Sequence, residues 1–279
     1  MATLAIPVPA EAPASVTIPE SSTALGEILS PSQLRTWMDC QARWMFRYFY
    51  ELPEPANSSL ALGRSVHHAL GLNFHQKVET GADLPTPEVV RAFCEAWKME
   101  AEATAFAASE DAMEIGVQGA ALVAAYMNEC AATIQPAAVE IHVGDGDARI
   151  GGVRVQGVVD ILDVDGRIID LKTAKRSPSR IDHAQMIQLA TYAAVTPGAR
   201  GTVRIDTLVR GKPPKVKSFS GRLSASDFAS IESLYPLAQE GMRSGLYMPN
   251  RTSMMCSRRN CGYWRQCEEH YGGVVEECA

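Results

Sequence analysis

Apolar positions change rhythm near Ala138. Before it they recur every three to four residues, the helical period; after it they alternate or run in short β-branched stretches. Residues 1–28 show neither rhythm; rich in Pro, Ala, Ser and Thr, they read as a disordered tail. Order is expected from Ser30-Pro31-Ser32-Gln33, where Ser30 can cap a helix, Pro31 suits its first turn and Gln33 completes a capping box. One helix is predicted there, carrying Leu34, Trp37, Met38, Trp44, Met45 and Tyr48, with Cys40 on its length. Further helices are expected at about 60–75, 87–108 and 114–134. Strand-like segments follow at 139–143, 148–150, 153–164 and 167–171. A helix at 181–195, strands at 202–210 and 215–221 and a helix at 224–244 complete the pattern. This order predicts an α/β core behind a helical N-terminal section.

The most informative stretch joins Gly157-Val-Val-Asp160 to Asp170-Leu-Lys172 through Asp163-Val-Asp-Gly166-Arg167. If Val164, Asp165 and Gly166 form a three-residue loop, Gly166 takes the left-handed position of a bulged turn. Asp163 then pairs with Arg167 and Asp160 with Asp170, and alternation puts Lys172 on the same face. A two-residue loop would pair Asp160 with Leu171 and split the carboxylates across the sheet. Two carboxylates side by side repel unless a cation joins them, and Mg²⁺ or Mn²⁺ suits oxygen ligands. Such an ion can polarise a phosphodiester and acidify a bound water, while Lys172 can orient that water or meet phosphate charge. An exposed hairpin whose acids simply pair with a lysine is the plain alternative.

Charge sharpens the picture. The chain carries −6 overall, which excludes binding by bulk basicity. Between Leu171 and Ser220, however, stand ten Lys or Arg against two Asp, the local footprint that phosphate contacts need. A solvated charged face would look the same. No apolar run is long enough for a bilayer and no basic residue precedes Arg35, so a cytoplasmic protein with no membrane partner is expected. Of seven cysteines, three crowd between Cys256 and Cys267, a density that favours metal ligation in a reducing compartment. Zinc held by Cys256, Cys261, Cys267 and His270 is one arrangement. Cys94 and Cys130 read as core residues, and Cys278 as unliganded in an acidic tail over 274–279.

Four separated patterns resemble, in order, the RecB-like branch of the PD-(D/E)XK nuclease superfamily. Gly63-Arg-Ser-Val-His67 resembles its Gly-x-x-x-His helix, which implies His67, rather than the neighbouring His68, as a metal ligand. Val158-Val-Asp160 and Asp170-Leu-Lys172 resemble the strand aspartate and the (D/E)-x-K motif, implying Asp160 and Asp170 as metal ligands and Lys172 as catalytic. Gln188-Leu-Ala-Thr-Tyr192 resembles the Gln-x-x-x-Tyr helix, which implies that Gln188 and Tyr192 contact substrate or lysine; spaced by four, they share one helix face. Glu140 occupies the place of a Val-Glu pair in related proteins.

Cys-Gly-Tyr-x-x-x-Cys at 261–267, with Cys256 and the remote Cys40, resembles the iron–sulfur version of this branch, implying a four-iron, four-sulfur cluster. Gln41 stands where the family has proline, and four residues rather than fewer separate Cys256 from Cys261. The resemblance implies a restriction-endonuclease-like core, a mixed sheet flanked by helices, at 138–245. A helical section at 29–137 would precede it and a cysteine clasp at 246–273 would close it. It implies a metal-dependent DNA exonuclease of recombination, repair, phage DNA metabolism or spacer acquisition. A non-catalytic DNA-binding or assembly subunit of the same fold is the alternative.

Overall fold

Ser30 caps the first helix. Its hydroxyl accepts the Gln33 N–H at 3.2 Å, and Pro31, with no N–H to satisfy, takes the first helical position. The computed structural model describes residues 26–54, 57–144 and 147–277, so most of the expected tail and Cys278 lie outside the described residues. Order begins a little earlier than the sequence indicates, because Ile28–Leu29 already forms a short strand, β1.

Helix α1 (Pro31–Asp39) ends at Cys40, whose extended backbone separates it from α2 (Gln41–Trp44) and the π-helical turn Met45–Phe49. The single helix predicted through residue 48 is therefore interrupted, and Cys40 sits at the break. The cause is remote in sequence. Asn250 donates its side-chain amide to Asp39 O at 2.8 Å, and Ala42 N–H reaches Met248 O at 3.3 Å, so a distant segment satisfies the interrupted backbone.

Three long helices follow: α3 (Ser58–Thr80), α4 (Thr86–Glu102) and α5 (Ala112–Glu129). Asp111 starts α5 two residues before the predicted point by accepting the N–H groups of Met113 and Glu114. Five strands make the main sheet, in the order β2 (Pro136–Val143), β5 (Gly157–Asp163), β6 (Ile168–Ala174), β7 (Thr202–Val209), β8 (Lys215–Arg222). All neighbours are antiparallel except β6 and β7, which α6 (His183–Val195) joins as a crossover. The predicted strand over 153–164 is two. β4 (Val153–Val155) leaves for a small sheet with β1 and β3 (Arg149–Ile150), and the chain enters the main sheet only at Gly157.

The sheet has helices on both faces. Ile161, Ile169, Leu171 and Leu208 pack against α3–α5, while Leu162, Ile168, Val203 and Ile205 pack against α1, α6 and α7 (Ala225–Arg243). This is the α/β architecture with a mixed, helix-flanked sheet that the sequence predicts. A last helix that the sequence reading missed, α8 (Trp264–Tyr271), brings Tyr263 and Cys267 against Ala42, Met45 and Phe46. Among the described residues no helix is long and apolar enough to cross a membrane.

Candidate active site

The β5–β6 hairpin adopts the odd-length loop. Ile161 faces Ile169 and Leu162 faces Ile168, Asp163 N–H bonds Arg167 O at 3.0 Å, and Gly166 takes φ +74°. A side chain at Gly166 would also meet Gly198 O at 2.5 Å, so both conformation and space demand glycine. The Asp163 carboxylate fastens the turn by accepting the N–H groups of Asp165 (2.9 Å) and Arg167 (3.1 Å) and the Arg167 guanidinium (2.6 Å).

Continuing the register sets Asp160 opposite Asp170, but the backbone ladder stops at Ile161–Ile169. Beyond it side chains take over. Leu171 N–H donates to Asp160 Oδ2 at 2.8 Å, and Leu171 O accepts from His67 Nε2 at 2.9 Å. When the ring is neutral and donates from Nε2, its Nδ1 lone pair faces Asp160 Oδ1, 3.5 Å away. Two electron-rich atoms so placed ask for a proton or a metal ion between them.

Small residues let α3 come this close. Gly63, His67 and Gly71 are spaced by four along one face; a Cβ on Gly63 would touch Thr173 Oγ1 at 3.5 Å, and one on Gly71 would meet Glu140 Oε1 at 3.1 Å. His68 turns to solvent, so the choice between the two histidines is geometric. Glu140 has φ +50° within β2, shares a pocket with His67 and Asp160, and holds His75 Nε2 at 3.0 Å. Its sequence position hinted at this; the part played by Gly71 was readable only as a second step of four after Gly63.

Lys172 reaches back to Asp170, its Nζ 2.8 Å from Oδ1 and 2.6 Å from Oδ2. Gln188 donates to Asp170 Oδ1 at 3.0 Å and also stands 3.3 Å from the Tyr192 hydroxyl. Asp170 is only 2% exposed. Both its oxygens face the Lys172 ammonium, and Gln188 adds a second donor at Oδ1.

The electrostatics divide the two carboxylates. Burial, with Asp160 as a like-charged neighbour, outweighs Lys172 and lifts Asp170 to about 6. Burial also opposes ionisation of Asp160, but His67, Lys172 and the Leu171 N–H prevail and hold it below the usual carboxylate range. Burial disfavours the charged forms of His67 and Lys172, yet the carboxylates raise both. Burial raises Tyr192, and the negative pair adds to that, so its hydroxyl keeps its proton while accepting from Gln188.

The four predicted cysteines line one pocket together with Arg43. Cys40 Sγ accepts the Asn250 N–H at 3.4 Å. Burial first, then the neighbouring thiols, pushes Cys267 up to about 11, and burial likewise raises Cys256 and Cys261. Among the described residues no set of three or more His, Cys, Asp or Glu side chains stands in metal-ligating array, at this pocket or at the carboxylates. His270 lines a different pocket, its ring edge-on to Phe46 and Tyr271, so the zinc set that uses it is not assembled. Cys130 is buried as expected, whereas Cys94, read as core, is exposed because it falls on the outer side of α4.

A family model described as PD-(D/E)XK nuclease superfamily matches residues 28–268. A solved structure from Eubacterium rectale, an exonuclease by provisional assignment, is 12% identical; it aligns over 83% of this chain and 86% of its own with a TM-score of 0.56, a likeness of fold alone. The solved structure of SSO0001 aligns over 85% of this chain and 84% of its own at 11% identity and a TM-score of 0.41. No curated protein matches.

Proposed function

The chain belongs to the PD-(D/E)XK nuclease superfamily, and on that footing we propose that it is a divalent-metal-dependent deoxyribonuclease of the RecB-like branch, acting as an exonuclease. The observation that carries this reading is the meeting of Asp160, Asp170, Lys172 and His67 in one cluster around the buried Asp170 carboxylate.

Their chemistry fits Mg²⁺ or Mn²⁺: two carboxylates from adjacent strands and an imidazole nitrogen beside one of them. Asp160, Asp170 and His67 would hold the ion, which when bound supplies Lewis acidity toward a phosphodiester and its attacking water. Lys172 stays cationic and would meet the negative charge that grows on phosphate, or orient the water. Gln188 fixes Asp170 and receives support from Tyr192, so α6 sets the carboxylate's angle. Leu171 is held at both ends, its N–H by Asp160 and its C=O by His67, which fixes the β6 backbone beside the carboxylates. The basic zone after Lys172 would bind the DNA backbone.

We also propose a four-iron, four-sulfur cluster on Cys40, Cys256, Cys261 and Cys267. It is favoured over zinc by the remote Cys40 sharing the pocket from which His270 is missing. Its role would be structural, closing a clasp (246–273) over a core (138–245) that follows the helical section (29–137). A cytoplasmic location and a place in DNA processing complete the proposal.

The test uses purified protein and end-labelled DNA with and without Mg²⁺ or Mn²⁺. Asp160→Ala, Asp170→Ala and Lys172→Ala should each lower metal-dependent degradation by roughly 100-fold or more, with circular dichroism unchanged. A Lys172→Ala protein cutting at the wild-type rate would remove that residue from the mechanism.

A further inference from the structure

An aromatic cavity lies where the π-helical turn after α2 meets residues 245–248 and the end of α8. Phe49, Tyr50, Tyr247, His270 and Tyr271 wall it, and no Lys, Arg, Asp or Glu among the described residues lines it. Its rings are set from behind. Tyr247 donates its hydroxyl to Met242 O at 2.8 Å, Tyr271 donates to Tyr247 O, and Phe49 stands edge-on to Tyr50 at 4.8 Å. Ring faces held in this way lose little freedom when something packs on them. Burial alone raises the Tyr50 hydroxyl, which has no hydrogen-bond partner among the described residues. At the rim, Leu246 is 77% exposed and Met248 71%.

This combination selects among ligands. A phosphate would need cations, which the cavity lacks. Fixed aromatic faces with one phenol donor suit a polyproline II strand, whose prolyl rings pack on them and whose carbonyls make no internal bond and can accept from the phenol. The chain carries such a sequence. Ile6-Pro7-Val8-Pro9-Ala10-Glu11-Ala12-Pro13 holds three prolines and no Lys or Arg, and at three residues per turn Pro7, Ala10 and Pro13 share one edge.

The described chain starts beside the cavity. Gly26 O accepts the Gln239 side-chain amide at 2.5 Å, and a Cβ on Gly26 would lie 3.6 Å from Met242 Sδ. Gly26 therefore stands against the residue whose carbonyl holds Tyr247. The chain from Pro13 to Gly26 can reach up to about 43 Å, well beyond that gap. A tether this short gives a local concentration on the order of millimolar, so a weak grip suffices.

We propose that this cavity is a polyproline-binding site and that residues 6–13 of the same chain occupy it, covering Leu246 and Met248. Their docking would brace residues 245–248, which hold the backbone next to Cys40 through Met248 O and the Ala42 N–H. Neither the grip nor its test depends on the chemistry at the carboxylates.

The experiment uses the full chain labelled with carbon-13 at its methionine methyls and follows the Met248 signal, assigned through Met248→Leu. Wild type is compared with the triple variant Pro7→Ser, Pro9→Ser, Pro13→Ser, whose changes lie outside the described residues. The triple variant is then titrated with a synthetic peptide of residues 4–15. The expected result is a displaced Met248 signal in the triple variant that the peptide returns to its wild-type position, while Met99 and Met113, remote from the cavity, do not move. The wild type should bind the peptide about tenfold or more weakly than the triple variant, because its own segment competes. Adding Tyr50→Phe to the triple variant should weaken the peptide by about three- to tenfold, the loss of one hydrogen bond, with melting temperature showing that each variant folds. An unmoved Met248 signal in the triple variant, equal peptide binding by variant and wild type, or undiminished binding of a peptide carrying the three serines would overturn the proposal. So would a wild-type Met248 signal that changes on dilution, which would give the cavity to a segment of a second copy.

Discussion

At the scale of single residues, Asp170 and Gly157 decide most. Asp170 is raised to about 6 by burial and by Asp160, above its unfolded value near 3.9. The folded metal-free protein thus holds this proton more tightly than the unfolded chain does, so the stability it brings is full below about pH 4 and lost as pH rises through 6. His67, also raised, acts in the same direction, whereas lowered Asp160 matters only when pH falls below the carboxylate range. Chelator-treated protein should therefore lose on the order of 2 kcal/mol between pH 4.5 and 7.5 in urea titrations. Asp170→Asn should flatten much of that dependence, and Mn²⁺ should restore stability at the upper end. An unaltered profile in Asp170→Asn would show that the carboxyl is not held as described. Gly157 makes a different demand: a Cβ there would sit 2.7 Å from Tyr192 Cε1. Gly157→Val should cost about 1–3 kcal/mol by overpacking and lower activity further than that loss explains, since Tyr192 supports Gln188. Activity and urea stability of the purified variant check both parts.

At the scale of elements, the hairpin is a register device. Asp163, 3% exposed, holds two backbone N–H groups and a guanidinium around the turn that keeps Asp160 and Asp170 on one side. Asp163→Ala leaves those donors without a partner and should destabilise by roughly 2–4 kcal/mol, read as a lowered urea midpoint. Deleting Val164 would shorten the loop by one and turn one carboxylate to the opposite face, so nuclease activity should vanish even where the fold survives. This register was legible in the sequence because loop length, Gly166 and strand alternation constrain one another. The engagement of Leu171 O was not, since His67 arrives there from the distant α3.

At the scale of the molecule, the cysteine pocket joins the first described helices to the last. Cys40 lines one pocket with Cys256, Cys261 and Cys267, more than two hundred residues away along the chain, and Asn250 and Met248 bond the backbone on either side of Cys40. Ligation there would close a very long loop, whose entropic cost grows only slowly with length. Removing the proposed cluster, by Cys256→Ser or by oxidation, should bleach a broad absorbance near 400 nm and lower Tm by several degrees. An equally stable, equally coloured Cys256→Ser protein would exclude Cys256 as a ligand.

Where the information was local, the sequence by itself determined the outcome. Helical and strand periods named most elements, Ser30 and Ser224 marked helix starts, and the spacing from Asp160 to Lys172 set which side chains share a face. Tertiary structure alone decided that α1 breaks at Cys40, that residues 153–163 split between two sheets and that His67 rather than His68 meets Asp160. It also brought α8 against Met45 and Phe46. The reason is that a backbone period records which face of an element is buried. It carries no record of the distant segment that satisfies a broken helix or covers that face.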